Sequence, residues 1–216
     1  MLVREQMTTS PVTIAPDATV PDALKLIREK KVRRLPVLDS KKRLVGIVSD
    51  KDLLYASPSP STSLDVWELR DLFSKITVAK VMTTSVVTIG EDTPIEEAAR
   101  IMADKKIGGL PVMRGSDMVG ILTETDVLTA FAELFGGRKR GVRVMATTTG
   151  EKGTVAKIAS AVFGAGGDIV GLAQVETKVA GVIRWEITLK VQDVDREKLV
   201  SAIKPAVLEI LDVRET

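Results

Sequence analysis

The chain carries the same short segment twice. MTTSPVTI begins at Met7, and MTTSVVTI begins 75 positions later at Met82. The match continues through the Leu-Pro-Val triplets at 35–37 and 110–112, and it ends with GIVSDKD in one copy and GILTETD in the other. Self-similarity at a fixed spacing indicates a repeated structural unit. Two copies followed by an unrelated tail predict a duplicated module rather than a solenoid.

The composition excludes several kinds of site. The 216 residues include no Cys and no His, so thiol and imidazole catalysis and disulfides are absent, and a metal would need carboxylates alone. A net charge of +2 from 31 basic and 29 acidic residues does not by itself indicate nucleic acid. No apolar run reaches the roughly 20 residues of a membrane span, and the N-terminus lacks the apolar core of a signal peptide. We therefore expect a cytoplasmic protein that is not an enzyme, binds no metal, requires no cofactor and contacts no membrane.

Each copy reads as strand, helix, strand, strand, helix. Thr19 as a cap and Pro21 in the first turn predict the start of a helix in the first copy. Thr93 as a cap and Pro94 as the first helical residue predict the equivalent helix in the second copy. Apolar spacing also predicts a helix over 65–75, between the copies.

The tail follows a different pattern. Its odd-numbered residues from Ile183 to Val191 are apolar and alternate with polar ones, which is typical of a half-buried strand. With predicted helices over 154–165 and 195–203, the order becomes β-α-β-β-α-β, which implies a ferredoxin-like sandwich. We therefore predict an α/β (α+β) chain with a first copy at 1–56, a linker and helix at 57–80, a second copy at 81–136, a linker at 137–141 and a ferredoxin-like domain at 142–216.

A hydroxyl and a carboxylate recur three residues apart at one helix start of each copy. Ser49 precedes Asp52, and Thr123 precedes Asp126. At this spacing both groups lie on one face of the first turn, where the carboxylate can accept from the two hydroxyls of a ribose and the free amides can hold a phosphate. The alternative is that each hydroxyl only caps its helix and each carboxylate only complements the helix dipole. The recurrence in both copies favours ribose binding.

These segments resemble known families. The Met-Thr openings, the Leu-Pro-Val strands and the GIVSDKD and GILTETD segments resemble CBS domains, and the tandem over 5–135 resembles a Bateman module. Gly153 at the start of a helix and the Ala-Gly-Gly-Asp-Ile run after that helix resemble an ACT domain. The combination is similar to small CBS proteins of the acetoin-utilisation type. The resemblance implies a CBS-domain pair followed by a ferredoxin-like βαββαβ ACT domain.

The resemblance further implies that the CBS pair binds adenine nucleotides such as AMP, ADP or ATP as regulatory ligands. In the first copy the implicated residues are Ser10, Val12, Ile14, Val32, Arg33, Arg34, Leu35, Pro36, Ser49 and Asp52. In the second copy they are Ser85, Val87, Ile89, Ile107, Gly108, Gly109, Leu110, Pro111, Thr123 and Asp126. A sensor of this kind would act on a regulated protein partner.

The two copies differ at one pair of these positions. Arg33-Arg34 stands where the second copy has Gly108-Gly109. Arginines hold phosphate by charge-assisted bonds and glycine side chains cannot, so we predict a tighter, more phosphate-dependent site that uses the arginines. The sequence leaves open whether they serve their own copy, reach across the pseudo-twofold axis, or are solvated surface charges.

ACT domains commonly bind small amino acids where two such domains meet. The effector loop that the resemblance implies, together with the residues that it faces, comprises Glu151, Lys152, Gly153, Thr154, Asp168 and Ile169. Lys152 stands where proline is usual and Asp168 where asparagine is usual, and the alternative is a domain that serves only dimerisation. Because Bateman modules and ACT domains both usually pair, we expect a homodimer.

A second hypothesis makes the chain a transcriptional or partner-binding regulator. Arg138-Lys139-Arg140 lie between glycines and, with the helix over 65–75, could meet a partner. The alternative for this basic run is a solvated linker. The sequence has no helix-turn-helix signature, so nucleic acid is not the expected partner.

Overall fold

The computed structural model describes residues 1–56, 75–179 and 182–216. They form two compact units, Met1–Val127 and Leu128–Thr216, of which the first holds both copies of the repeat. All but the last residue of the helix predicted over 65–75 lies outside the described residues. Within the described ranges, no helix has the length and apolar character needed to cross a membrane.

Both copies contain a long helix, two paired strands and a closing helix, in this order. The first copy contains α1 (Val3–Gln6), β1 (Thr8–Thr9), α2 (Val20–Lys30), β2 (Arg34–Leu38), β3 (Leu44–Ser49) and α3 (Asp50–Tyr55). The second copy contains a 3-10 turn (Val78–Lys80), β4 (Ile89–Gly90), α4 (Ile95–Lys105), β5 (Gly109–Arg114), β6 (Asp117–Thr123) and α5 (Glu124–Leu134). The predicted order of strand, helix, strand, strand, helix is confirmed in the second copy. In the first copy the residue equivalent to Ile89 of β4, Ile14, forms only an isolated parallel bridge with Val37, and β1 is a separate strand that pairs with β6. The short helix α1 was not predicted.

Helices α2 and α4 begin differently although they occupy equivalent positions. Thr19 caps α2 as predicted, because its Oγ1 accepts a hydrogen bond from the Asp22 amide at 3.2 Å. The N-cap of α4 is Pro94, whose side chain has no polar group, so the prediction of Thr93 as the cap is wrong. The Thr93 carbonyl instead accepts from the Val3 amide at 2.9 Å, since the N-terminal residues of the chain lie against this helix start.

The two copies exchange their opening segments. β1 of the first copy pairs antiparallel with β6 of the second, with Thr8 opposite Ile121, and this completes a sheet of order β1-β6-β5-β4. Reciprocally, Ile47 in β3 and Thr83 exchange two backbone hydrogen bonds of 3.0 and 2.9 Å. Each opening segment is therefore held by a strand of the other copy.

One glycine in each copy makes room for this exchange. A Cβ added at Gly120 would lie 2.6 Å from Met7 Sδ and 2.9 Å from the Thr8 carbonyl oxygen. In the equivalent contact, a Cβ at Gly46 would overlap Met82 Sδ. The close approach is possible because glycine has no side chain. The repeated Met-Thr opening and the repeated Val-Gly-Ile strand are thus the two sides of one contact.

Each copy packs its first long helix against its strands. In the first copy, one apolar cluster joins Val20, Ala23 and Ile27 of α2 to Leu35 and other buried residues of β2, β3 and α3. Leu35 and its equivalent in the second copy, Leu110, are both fully buried. The apolar residues of α2 recur at helical spacing, so they lie on one face of the helix, and that face packs against the strands.

The second unit has the predicted β-α-β-β-α-β order. Its elements are β7 (Val142–Thr148), α6 (Thr154–Gly164), β8 (Asp168–Val179), β9 (Val182–Gln192), α7 (Arg196–Ile203), a 3-10 turn (Lys204–Ala206) and β10 (Glu209–Glu215). The four strands form an antiparallel sheet of order β10-β7-β9-β8. Ile158 and Val162 of α6 and Leu199 and Ile203 of α7 form a common core with the sheet.

The alternation predicted for β9 fails at both ends of the strand. Ile187 is buried as predicted, but Ile183 is 59% exposed. β7 ends opposite Trp185, so Ile183 lies beyond the end of β7 and, among the described strands, pairs only with β8. At the other end Lys190, which we predicted on the polar face, is 6% exposed because the backbone at Gly136 lies over its aliphatic stem.

The predicted linker at 137–141 is bonded to the second unit. Gly141 and Thr216 exchange two backbone hydrogen bonds of 3.0 Å, and Gln192 Nε2 donates to the Arg140 carbonyl at 2.8 Å. The first unit ends at Val127, inside α5. The domain limits that we drew from the sequence stay predictions.

Candidate functional site

The hydroxyl–carboxylate pairs are present at the starts of two helices. Ser49 is the N-cap of α3, and its backbone amide and Oγ both donate to Asp52 Oδ2, at 2.8 and 2.7 Å. Thr123 donates in the same way to Asp126 Oδ2, at 2.8 and 2.7 Å. The capping role, which we stated as the alternative, is therefore present at Ser49, and Thr123 and Asp126 form the matching side-chain pair at the start of α5. Capping does not exclude a ligand, because both bonds at Asp52 use Oδ2 and no donor among the described residues reaches Oδ1.

Two cavities lie between the copies within the first unit. The larger cavity has a volume of about 750 Å³ and the smaller cavity one of about 340 Å³. The larger cavity gathers nine of the predicted residues, namely Arg33, Arg34, Ser49, Asp52, Ser85, Val87, Ile107, Gly108 and Gly109. The smaller cavity gathers seven, namely Ser10, Val12, Val32, Arg33, Arg34, Gly108 and Thr123. Each cavity is therefore lined by residues of both copies.

The exchanged opening segments explain this mixing. The bonds between Thr83 and Ile47 hold the second copy's opening segment beside the end of β3, and the chain continues from β3 into the cap at Ser49. Ser85 and Asp52 consequently line one cavity. The pairing of β1 with β6 produces the equivalent arrangement for the smaller cavity.

Seven predicted residues line neither cavity. Six of them are buried, namely Ile14, Leu35, Pro36, Ile89, Leu110 and Pro111. The seventh, Asp126, is half-buried and remains paired with Thr123. The two carboxylates that we predicted as equivalent ribose ligands are therefore not equivalently placed, since only Asp52 lines a cavity.

The sequence reasoning missed several charged residues of the cavity walls. Asp50 lines the larger cavity, and Glu124, at the equivalent position of the second copy, lines both. Lys106 lines the larger cavity and its equivalent Lys31 lines the smaller one. The recurrence of an acid and of a lysine at matching positions of the two copies was the available signal.

Arg34 reaches across the pseudo-twofold axis. Its Nη1 donates to the Gly108 carbonyl oxygen, and a Cβ at Gly109 would lie 2.7 Å from Arg34 Cδ. Because Gly108 and Gly109 have no side chains, they leave room for the Arg34 side chain of the other copy. Burial lowers the pKa of the Arg34 guanidinium below its ordinary value, and the carboxylates of Glu124 and Asp50 oppose that effect. The guanidinium remains charged, as arginine does in proteins.

Within one chain, the predicted effector residues of the second unit lie at two separate places. Thr154 Oγ1 donates to the Glu151 carbonyl at 2.8 Å, at the end of β7 that lies opposite Trp185. Asp168 instead pairs with Gln192, at the other end of β9. Strand spacing puts roughly 23 Å between these two positions of β9. Lys152 and Gly153 lie with Glu151 in the loop, and Ile169 follows Asp168 in β8.

Two repeats that enclose two cavities between them define a tandem module. The chain belongs to the CBS-domain family, because the model of that family matches residues 3–59 and 78–133, just over half of the chain. The matches end before the second unit's sheet begins.

The CBS domain-containing chloroplast protein CBSX2 of Arabidopsis thaliana is 35% identical over 139 residues, which cover 56% of this chain and 58% of that protein. A structure of CBSX2 in complex with AMP superposes with a TM-score of 0.50 and 38% identity, over 60% of this chain and 95% of that one.

Two further structures share the arrangement. A protein from Vibrio cholerae assigned to acetoin utilisation (AcuB) has a TM-score of 0.54 and 32% identity, over 64% of this chain and 96% of that one. The CBS domain pair of protein MJ0100, in complex with 5-methylthioadenosine and S-adenosyl-L-methionine, has a TM-score of 0.52 and 28% identity, over 64% of this chain and 98% of that one.

Proposed function

We propose that the larger cavity binds an adenine nucleotide, AMP, ADP or ATP, and that the chain is a non-catalytic sensor. One observation carries the proposal: the capped carboxylate Asp52 lines a cavity of about 750 Å³ together with Ser85 and Val87 of the other copy. The likeness to CBSX2, whose structure contains AMP, supports the choice of an adenine nucleotide.

The walls of the larger cavity suit the three parts of such a ligand. Asp52 Oδ1, which no donor among the described residues reaches, can accept from ribose hydroxyls, and Val87 and Ile107 offer apolar surface to an adenine ring. Arg33 and Arg34 can hold phosphate oxygens by charge-assisted hydrogen bonds. No residue is needed to transfer a group or a proton, so binding alone is the proposed activity.

A sensor must change with its ligand. The two copies meet at the exchanged opening segments, and a nucleotide between them would favour one relative arrangement of the copies. The free energy by which the ligand shifts this equilibrium cannot exceed the difference in its binding free energy for the two arrangements. A protein partner in the cytoplasm would recognise one of the two arrangements.

We further propose that the second unit is an ACT-like domain that pairs two chains. Its β-α-β-β-α-β order and antiparallel sheet support this assignment. Because Glu151 and Asp168 lie at opposite ends of one sheet, an amino acid bound between them would need a second chain. Sedimentation equilibrium of the full chain should give a dimer mass, and a monomer at micromolar concentration would contradict the pairing.

Calorimetric titration with AMP tests the nucleotide proposal. Asp52→Asn keeps the shape of the side chain but removes its charge, and we expect the Kd for AMP to rise at least about tenfold, because a hydrogen bond to a charged group is worth about 1.5–3 kcal/mol. The physical reason is the loss of a carboxylate that accepts from the ribose. Wild-type protein that binds no adenine nucleotide would reject the proposal.

Asp22→Asn is the matched control for this titration. Thr19 Oγ1 donates to Asp22 Oδ2 at 2.6 Å, so Asp22 forms the same kind of helix-start pair as Asp52. Asp22 lines neither cavity. The control should therefore lose a similar cap interaction while keeping the wild-type affinity for AMP. Equal losses of affinity in both variants would assign the effect to capping rather than to the site.

A further inference from the structure

The two cavities share one pair of arginines. Arg33 and Arg34 line both the larger and the smaller cavity. The equivalent positions of the second copy hold Gly108 and Gly109, which contribute no charge. A duplicated module with two cavities therefore has a single arginine pair between them.

The Arg34 side chain lies between the two cavities. Its Nη1 donates to the Gly108 carbonyl oxygen, and a Cβ on Gly108 would lie 2.6 Å from Arg34 Nη2 and 2.8 Å from Glu124 Oε2. Gly108 and Glu124 also line both cavities. The guanidinium, its carbonyl acceptor and a carboxylate thus form one cluster that faces two ligand sites.

The guanidinium of Arg34 has five N–H groups, but it takes one orientation at a time, and Nη1 already donates to the Gly108 carbonyl oxygen. A phosphate in the larger cavity that takes two of the parallel N–H groups of Arg34 fixes the plane of the fork toward that cavity. The smaller cavity then keeps Lys31, Arg33 and the carboxylate of Glu124, but it loses the donors of Arg34. A second phosphate would therefore meet a less positive wall, whereas a ligand without phosphate would not depend on that charge.

Building on the nucleotide proposal, we infer that the two cavities are coupled through Arg34, so that they bind two phosphorylated nucleotides with unequal affinity. While the larger cavity holds a nucleotide, the smaller one accepts an uncharged adenine nucleoside in preference to a second nucleotide. The coupling is a property of the ligand's charge and not of its base or sugar.

The test compares AMP with adenosine on the full chain. In calorimetric titrations of the wild type, we expect the second AMP to bind about tenfold more weakly than the first, within the usual range of coupling between sites. Protein preloaded with one equivalent of AMP should bind adenosine more tightly than a second AMP. This comparison requires no variant and so does not depend on how well a variant folds.

Two arginine variants then locate the coupling. Arg34→Met keeps the aliphatic stem and removes the fork, so the ratio between the two AMP affinities should fall to the ratio measured for adenosine. Arg28→Met removes an exposed arginine of α2 that lines neither cavity, and it should leave that ratio unchanged.

The outcomes separate this inference from the proposed function. A wild type that binds neither AMP nor adenosine overturns both. Two AMP molecules that bind with equal affinity, or an affinity ratio that Arg34→Met does not change, overturn the coupling and leave nucleotide binding intact. A smaller cavity that accepts neither ligand after AMP has bound also overturns the coupling.

Discussion

Gly120→Val is expected to lower the free energy of unfolding of the first unit by about 3 kcal/mol, the upper part of the usual range for overpacking. Gly120 is buried in β6, and an added Cβ would lie 2.6 Å from Met7 Sδ and 2.9 Å from the Thr8 carbonyl oxygen. The sulfur can move, but the carbonyl belongs to the backbone of β1, so relief would require β1 to separate from β6. Urea denaturation followed by far-UV circular dichroism measures the loss.

Gly90→Val is the control for this substitution. Gly90 lies in β4 of the same sheet, it is exposed, and the atom nearest to an added Cβ is Thr93 Oγ1 at 3.7 Å. Because valine favours strands, this variant should stay within about 1 kcal/mol of the wild type. Similar losses in both variants would mean that the contact between the opening segment and β6 is not what Gly120 protects.

A rescue experiment separates the two parts of the clash. Adding Met82→Ala to Gly46→Ala should restore more of the lost free energy of unfolding than adding Met7→Ala to Gly120→Ala. Removing the sulfur leaves the Thr83 carbonyl 3.2 Å from the new Cβ in the first pair, but the Thr8 carbonyl only 2.9 Å away in the second. Equal recovery would show that the methionines, and not the carbonyls, set the limit.

Leu35→Ala and Leu110→Ala should each cost about 3 kcal/mol, since both remove a fully buried leucine and leave a cavity. The two residues occupy equivalent strands of the two copies, so similar losses are expected from either side. The control is Leu54→Ala, because Leu54 is 56% exposed and its truncation should cost less than about 1 kcal/mol. A loss in one copy only would show that the copies do not unfold together.

The elements of the repeat could be predicted because they depend on local patterns. The Thr19 cap and the helical spacing of α2 depend on a few neighbouring residues, and the structure confirms them. The N-cap of α4 was predicted wrongly because a distant segment decides it: the Val3 amide bonds to the Thr93 carbonyl. Burial at Ile183 and Lys190 failed for the same reason, since neighbouring strands and the Gly136 backbone determine it.

The composition of the candidate site was only half predictable. The repeat identified Ser49 with Asp52, and the family resemblance implied Ser85 and Val87. The larger cavity brings these two groups together. Sequence could not say which copy an opening segment would pair with, because both Val-Gly-Ile strands offer the same partner. The roles assigned to the site residues stay predictions until a ligand is bound.

The reciprocal pairing of the openings has a consequence for shorter polypeptides. A fragment with one repeat alone would keep an unpaired opening and an unoccupied strand edge, each complementary to the other on a second fragment. Two such fragments would associate, but only at the concentrations at which they meet. Placing both repeats on one polypeptide replaces that encounter with a high effective concentration, so the ligand cavities form independently of dilution.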